Sequence, residues 1–151
     1  MYQVEYKHLL KNIDSEHIQS HILESKNWTT ILTEDFEVEP IQVPSQLSEG
    51  DLIDLNLKRF NFVCQSQFKV EHVGSNSFCY KQTKGIFKRW THKISWHSDK
   101  KNKGINLLHK VEYKLPYGVL GTLFQDLFFR FDLPSLLATQ SKKIEQSLLD
   151  Q

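Results

Sequence analysis

Two histidines, His92 and His109, stand in neighbouring alternating segments of the chain, with Trp90, Trp96 and Tyr113 on the same phase of the alternation. Imidazole titrates near neutral pH and can donate through one ring nitrogen while accepting through the other. Brought together, the pair could share a proton, orient a ligand hydroxyl or carbonyl, or act as general acid and base. Metal binding would need a third ligand, and the inner positions of the adjoining segments supply no Cys, Asp or Glu, so no metal is expected. His17 and His21 lie four apart, within a His-Ile-Gln-Ser-His run that lacks the glutamate of the zinc-protease motif. A solvated helix face is expected there. The sequence has no phosphate-cradling glycine loop, no Cys-x-x-Cys pair and no nucleophile elbow. No catalytic residue is assigned, and no cofactor is expected.

Periodicity predicts the elements that position these groups. Residues 2–10 alternate as a half-buried strand, with Tyr2, Val4, Tyr6 and His8 on one side. Asp14 or Ser15 can cap a following helix that presents Ile18, Ile22 and Leu23, and residues 28–32 predict a second short helix. Six strands are expected over residues 36–43, 51–60, 62–73, 77–84, 87–98 and 105–115, joined by turn-rich breaks as an antiparallel meander. After Leu115-Pro-Tyr-Gly118 the period becomes helical. Leu120, Leu123, Phe124, Leu127, Phe128, Phe131, Leu136, Leu137, Ile144 and Leu148 recur by threes and fours, with a kink or break at Pro134. Strands bracketed by helices define one α+β domain over residues 1–151, a curved antiparallel sheet folded around a long C-terminal helix.

Turn positions predict the register. With Ser98 facing Lys103, Trp90 faces Val111, His92 faces His109, Ile94 faces Leu107 and Trp96 faces Ile105, all on one face. The other face takes Arg89 opposite Glu112 and Thr91 opposite Lys110. A turn centred on Ser75 puts Phe62, Cys64, Ser66, Phe68 and Val70 on the face shared by Phe78, Tyr80 and Gln82. Cys79 then points the other way, opposite Glu71, too far from Cys64 for a disulfide, so two free thiols are expected. The inner face mixes large aromatics with polar groups that each need a partner when buried, a composition that fits an apolar cavity with a few convergent polar atoms.

Of 151 residues, 39% are hydrophobic and 12% aromatic, enough for a real core, and no apolar run is long enough to span a membrane. The first residues interrupt their apolar pattern with charges, unlike a secretory signal, so a cytoplasmic location is expected. Net charge +1 conceals two opposed halves. Residues 1–54 carry eleven acids and three bases, whereas residues 55–114 carry thirteen bases and three acids. The basic half could attract an acidic protein or an anionic lipid surface. Nucleic acid is not expected, because the aromatics face inward and cannot stack on bases.

The segment Phe78-Cys-Tyr-Lys-Gln-Thr-Lys-Gly-Ile-Phe-Lys-Arg-Trp-Thr-His92, followed by Val111-Glu-Tyr-Lys-Leu-Pro-Tyr-Gly-Val-Leu-Gly121, resembles the bacterial SRPBCC proteins of the START and polyketide-cyclase-like superfamily. Glu49-Gly50-Asp51 and Asn27 extend the likeness over nearly the whole chain. The resemblance implies a helix-grip fold with a deep hydrophobic cavity between sheet and C-terminal helix. Tyr80 and His109 stand where the family pattern has aspartates, Ile94 where it has a second histidine and Ile86 where it has proline, making the cavity more apolar. The expected ligand is a hydrophobic or amphipathic small molecule, such as a lipid, a polyketide or a quinone-like compound. Its walls would be Leu55, Leu57, Phe68, Tyr80, Trp90, Trp96 and Tyr113 from the sheet and Phe124, Leu127, Phe128 and Phe131 from the helix, with His92, His109 and Gln82 setting orientation. One alternative is a cyclase- or dehydratase-type enzyme using the same cavity; a second is an interaction module that docks through the basic sheet face.

Overall fold

The computed structural model describes residues 1–27, 37–59, 62–116 and 133–150. Within them the elements run β1 (Tyr2–Lys11), α1 (Ser15–Leu23), β2 (Glu37–Gln42), β3 (Leu52–Arg59), β4 (Phe62–Val73), β5 (Ser77–Lys84), β6 (Arg89–Asp99), β7 (Gly104–Lys114) and α2 (Leu133–Leu149). All seven strands join one curved antiparallel sheet in the order β1-β7-β6-β5-β4-β3-β2. The meander of β2 to β7 thus acquires the first strand at its far edge. There β1 passes so close to β7 that a side chain at Gly104 would place its Cβ 2.5 Å from the Leu10 carbonyl oxygen.

Strict alternation on β7 buries Ile105, Leu107, His109, Val111 and Tyr113 and leaves the residues between them partly exposed. The buried face meets α2, whose Leu133, Leu137, Ser141, Ile144 and Leu148 form one stripe at helical spacing. Leu133 and Leu137 pack with Val111 and Tyr113, while Ile144 and Leu148 join Leu10, Ile18 and Ile22 in the main core. Burying each such aliphatic side chain contributes roughly 2 kcal/mol, which is what seats the helix on the sheet. Pro134 lies in the first turn of α2, where its missing N–H leaves no intrahelical bond unmade.

The strand positions agree with the sequence reading to within one or two residues, but the β6–β7 register is corrected. Trp90 pairs with Tyr113, His92 with Val111, Ile94 with His109 and Trp96 with Leu107, two residues along from the predicted ladder. The turn is the cause. Asp99 Oδ1 accepts from the backbone N–H of Lys101 and of Asn102, both at 3.1 Å, and Oδ2 accepts from the amides of Asn102 and Asn106. With Lys103 at φ +50°, the loop closes between Asp99 and Gly104 rather than between Ser98 and Lys103. A shift of two leaves every side chain on its predicted face. On the outer face it replaces the predicted Arg89–Glu112 pair by Arg89 opposite Lys114, puts Thr91 opposite Glu112, and sets Lys93 opposite Lys110.

In the β4–β5 hairpin Phe68 pairs with Gln82 and Val70 with Tyr80, as predicted, until a bulge at Glu71 sets Cys79 opposite His72 instead. Cys64 and Cys79 are free thiols. Asp14 occupies the N-cap of α1 without a side-chain capping bond. His21 is not solvated: it is 3% exposed on the same stripe as Ile18 and Ile22, whereas His17 is exposed. The helix predicted at residues 28–32 and the helical run before Leu133 lie outside the described residues. Among the described residues, no helix is long and apolar enough to cross a membrane.

Candidate functional site

The inner face of the central strands carries a continuous line of polar atoms set in aromatic surroundings. Tyr80 on β5 sits opposite His92 on β6, and their side chains meet with Oη 2.8 Å from Nδ1. His109 on β7 lies one diagonal step from His92, and the two rings bond Nε2 to Nδ1 at 3.0 Å. The corrected register makes this a diagonal contact, with ring centroids 5.2 Å apart. The Trp90 indole also bonds the Tyr80 hydroxyl. At the other end His109 Nε2 has no hydrogen-bond partner among the described residues, although the residue is 0% exposed.

Burial sets the electrostatics. It lowers the His109 pKa to about 4, with the neighbouring His8 acting in the same direction. It also drives His92 well below the usual imidazole range, again reinforced by His109, and raises the Tyr80 phenol. Both imidazoles are therefore neutral at pH 7 and Tyr80 keeps its proton. Next to this line, His8 on β1 bonds Glu145 on α2 and joins the first strand to the C-terminal helix.

The aromatic setting consists of edge-on or tilted contacts of Tyr80 with Phe68 and Phe78, and of Trp90 with Phe87 and Tyr113. Trp96, Leu55, Phe68 and Tyr113 are buried, and Leu57, Tyr80 and Trp90 are partly buried against the same cores. Gln82 lies on this face too, but its amide donates to the Phe87 carbonyl at 2.7 Å, and its oxygen lies 2.4 Å from where a Cβ on Gly85 would stand. It braces the β5–β6 connection. Phe124, Leu127, Phe128 and Phe131 lie outside the described residues. The sequence reading brought Tyr80, His92 and His109 to one face but missed the His8–Glu145 contact. The alternation that put His8 on the inner side of the first strand was its one available signal. Among the described residues, no three His, Cys, Asp or Glu side chains cluster to hold a metal ion.

Solved structures share this architecture from end to end. Protein TTHA0849 from Thermus thermophilus superposes with a TM-score of 0.73 at 14% identity, covering 99% of this chain and 98% of its own. Protein CV1439 from Chromobacterium violaceum gives 0.73 at 10% identity, covering 98% of each. The major latex-like protein 151 of Panax ginseng gives 0.66 at 9% identity, covering 97% of each chain. This chain has the helix-grip fold. At these identities the likeness is one of fold. No protein-family model matches the sequence, and no curated protein does either. In the helix-grip fold of this chain, the polar line from Trp90 to His109 occupies the sheet face on which α2 packs.

Proposed function

We propose that this chain binds, and carries, a hydrophobic or amphipathic small molecule, such as a lipid, a polyketide or a quinone-like compound, between the inner sheet face and the C-terminal helical segment. The observation that carries the reading is the Nε2 of His109, a residue 0% exposed, without a partner among the described residues and set beside buried and partly buried aromatic side chains. A buried polar atom left unmatched costs about 1–3 kcal/mol, and a bound ligand that supplies the partner recovers it. Apolar contact would supply most of the affinity, at roughly 25 cal/mol per Å² removed from water, with Trp90, Tyr80, His92 and His109 fixing orientation.

Neutral imidazoles far below their ordinary pKa are weak bases and cannot serve as acids near pH 7, which favours binding over cyclase-type acid–base catalysis. Native mass spectrometry of protein purified from its own host tests the proposal. A co-purifying hydrophobic mass, removed by solvent extraction and weakened in retention by His92→Phe/His109→Phe, is expected. Ligand-free protein that also fails to bind added long-chain lipids and ketones would overturn it.

One observation favours a second role for the outer face. Arg89, Lys93, Lys110 and Lys114 share this face of β6 and β7 with the carboxylate of Glu112, which pairs with Lys110 at 3.2 Å, and an anionic protein or lipid surface would complement that excess of positive charge. Binding to vesicles containing phosphatidylserine that is lost on raising salt supports this role; salt-independent binding contradicts it.

A further inference from the structure

The direction of the buried hydrogen-bond line identifies what the ligand must present. An indole nitrogen can only donate, so Trp90 gives its N–H to Tyr80 Oη. Between Tyr80 and His92 the phenol is the stronger acid and the imidazole nitrogen the stronger base, so the hydroxyl donates to His92 Nδ1. His92, neutral, then carries its proton on Nε2 and donates to His109 Nδ1. That leaves the His109 proton on Nε2, as an N–H directed away from the line with no acceptor among the described residues.

Trp96, on the same face of β6 and one diagonal step from His109, has a buried indole N–H that also lacks a partner among the described residues. Both unmatched polar atoms on this part of the face are therefore donors. Building on the binding reading above, we propose that the ligand presents an uncharged acceptor oxygen, a ketone or quinone carbonyl, to the Nε2–H of His109. A carboxylate would have to bring its charge into a wall that holds its imidazoles neutral, and an aliphatic alcohol offers a poorer acceptor beside a hydrogen of its own to place.

The tautomer is testable on the free protein. Long-range proton–nitrogen NMR at pH 7 should show both histidines neutral and protonated on Nε2. A His109 protonated on Nδ1 would overturn the proposal. The ligand class is then tested with 2-undecanone, n-undecane and decanoate against wild type and His109→Phe. The ketone should lose about tenfold in affinity in the variant, the worth of one buried hydrogen bond, while undecane stays unchanged or improves. In wild type the carbonyl stretch of the bound ketone should move to lower frequency, and decanoate should bind more weakly than the ketone. Equal losses for ketone and alkane, or a carbonyl frequency unaffected by His109→Phe, would overturn the carbonyl assignment and leave the binding role intact. Failure of all three probes to bind would overturn both. If His109→Phe does not fold, His109→Met, which removes the donor but leaves a flexible side chain with a thioether sulfur as weak acceptor for His92, provides the same comparison.

Discussion

Acidification should unfold this protein through its buried imidazoles, and one substitution isolates the effect. In the unfolded chain His109 titrates near its ordinary value of 6.5, whereas in the fold burial and His8 hold it to about 4. Between those limits the unfolded state binds a proton that the native state does not, so stability is fully present above pH 6.5 and declines as pH falls. Linkage over that window gives about 2 kcal/mol lost by pH 5 and about 3 kcal/mol once pH is below 4, from His109 alone. His92, displaced in the same direction, adds to the loss. Against a typical domain stability of about 5–15 kcal/mol this is a large share.

His109→Gln keeps an acceptor for His92 but cannot titrate. The assay is urea denaturation followed by tryptophan fluorescence at steps from pH 7.5 to pH 5. The variant should start less stable at neutral pH, by about 1 kcal/mol for a changed buried hydrogen bond, and then lose about 2 kcal/mol less than wild type on reaching pH 5. Parallel curves for the two proteins would show that His109 titrates normally in the fold and would refute the buried, neutral line.

Other perturbations have equally definite outcomes. Gly85→Ala would drive a methyl group to 2.4 Å from the Gln82 side-chain oxygen at φ +151°, so thermal or urea unfolding should show a loss of about 2 kcal/mol, and an unchanged midpoint would contradict the brace at the β5–β6 connection. Both cysteines should alkylate as thiols in denaturant. In the native protein Cys79, whose pKa is raised by burial and then by Glu71, should react more slowly than an unstructured thiol, and a mass two hydrogens short would refute the assignment. Lys93→Glu would turn a like-charge rung with Lys110 into an opposite-charge one, raising stability by about 0.5 kcal/mol at low salt and by less at high salt; destabilisation would argue against the outer-face register.

Most of the fold is legible in the sequence because strand alternation survives errors of register. The turn at Asp99 shows why. Its carboxylate gathers four hydrogen bonds and moves the β6–β7 ladder by two residues, which changes every cross-strand partner and no face assignment. Tyr80, His92 and His109 were therefore placed together correctly, while the order of their bonds, which depends on diagonal neighbours, was not readable. His21 illustrates a different limit: a polar residue three after Ile18 and one before Ile22 lies on the buried stripe, and only packing reveals that it is carried inside. The seating of β1 on β7, and with it the meeting of His8 and Glu145, depends on strand order across the whole chain, which no local pattern encodes.

The central claim is that the inner sheet face receives a small molecule whose acceptor oxygen meets His109. A crystal structure of the protein soaked with 2-undecanone tests it most directly. The ketone should lie between the sheet and the C-terminal helical segment with its oxygen about 3 Å from His109 Nε2. An inner face filled by the chain's own side chains, with the His109 nitrogen bonded to one of them and the ketone elsewhere or absent, would contradict it.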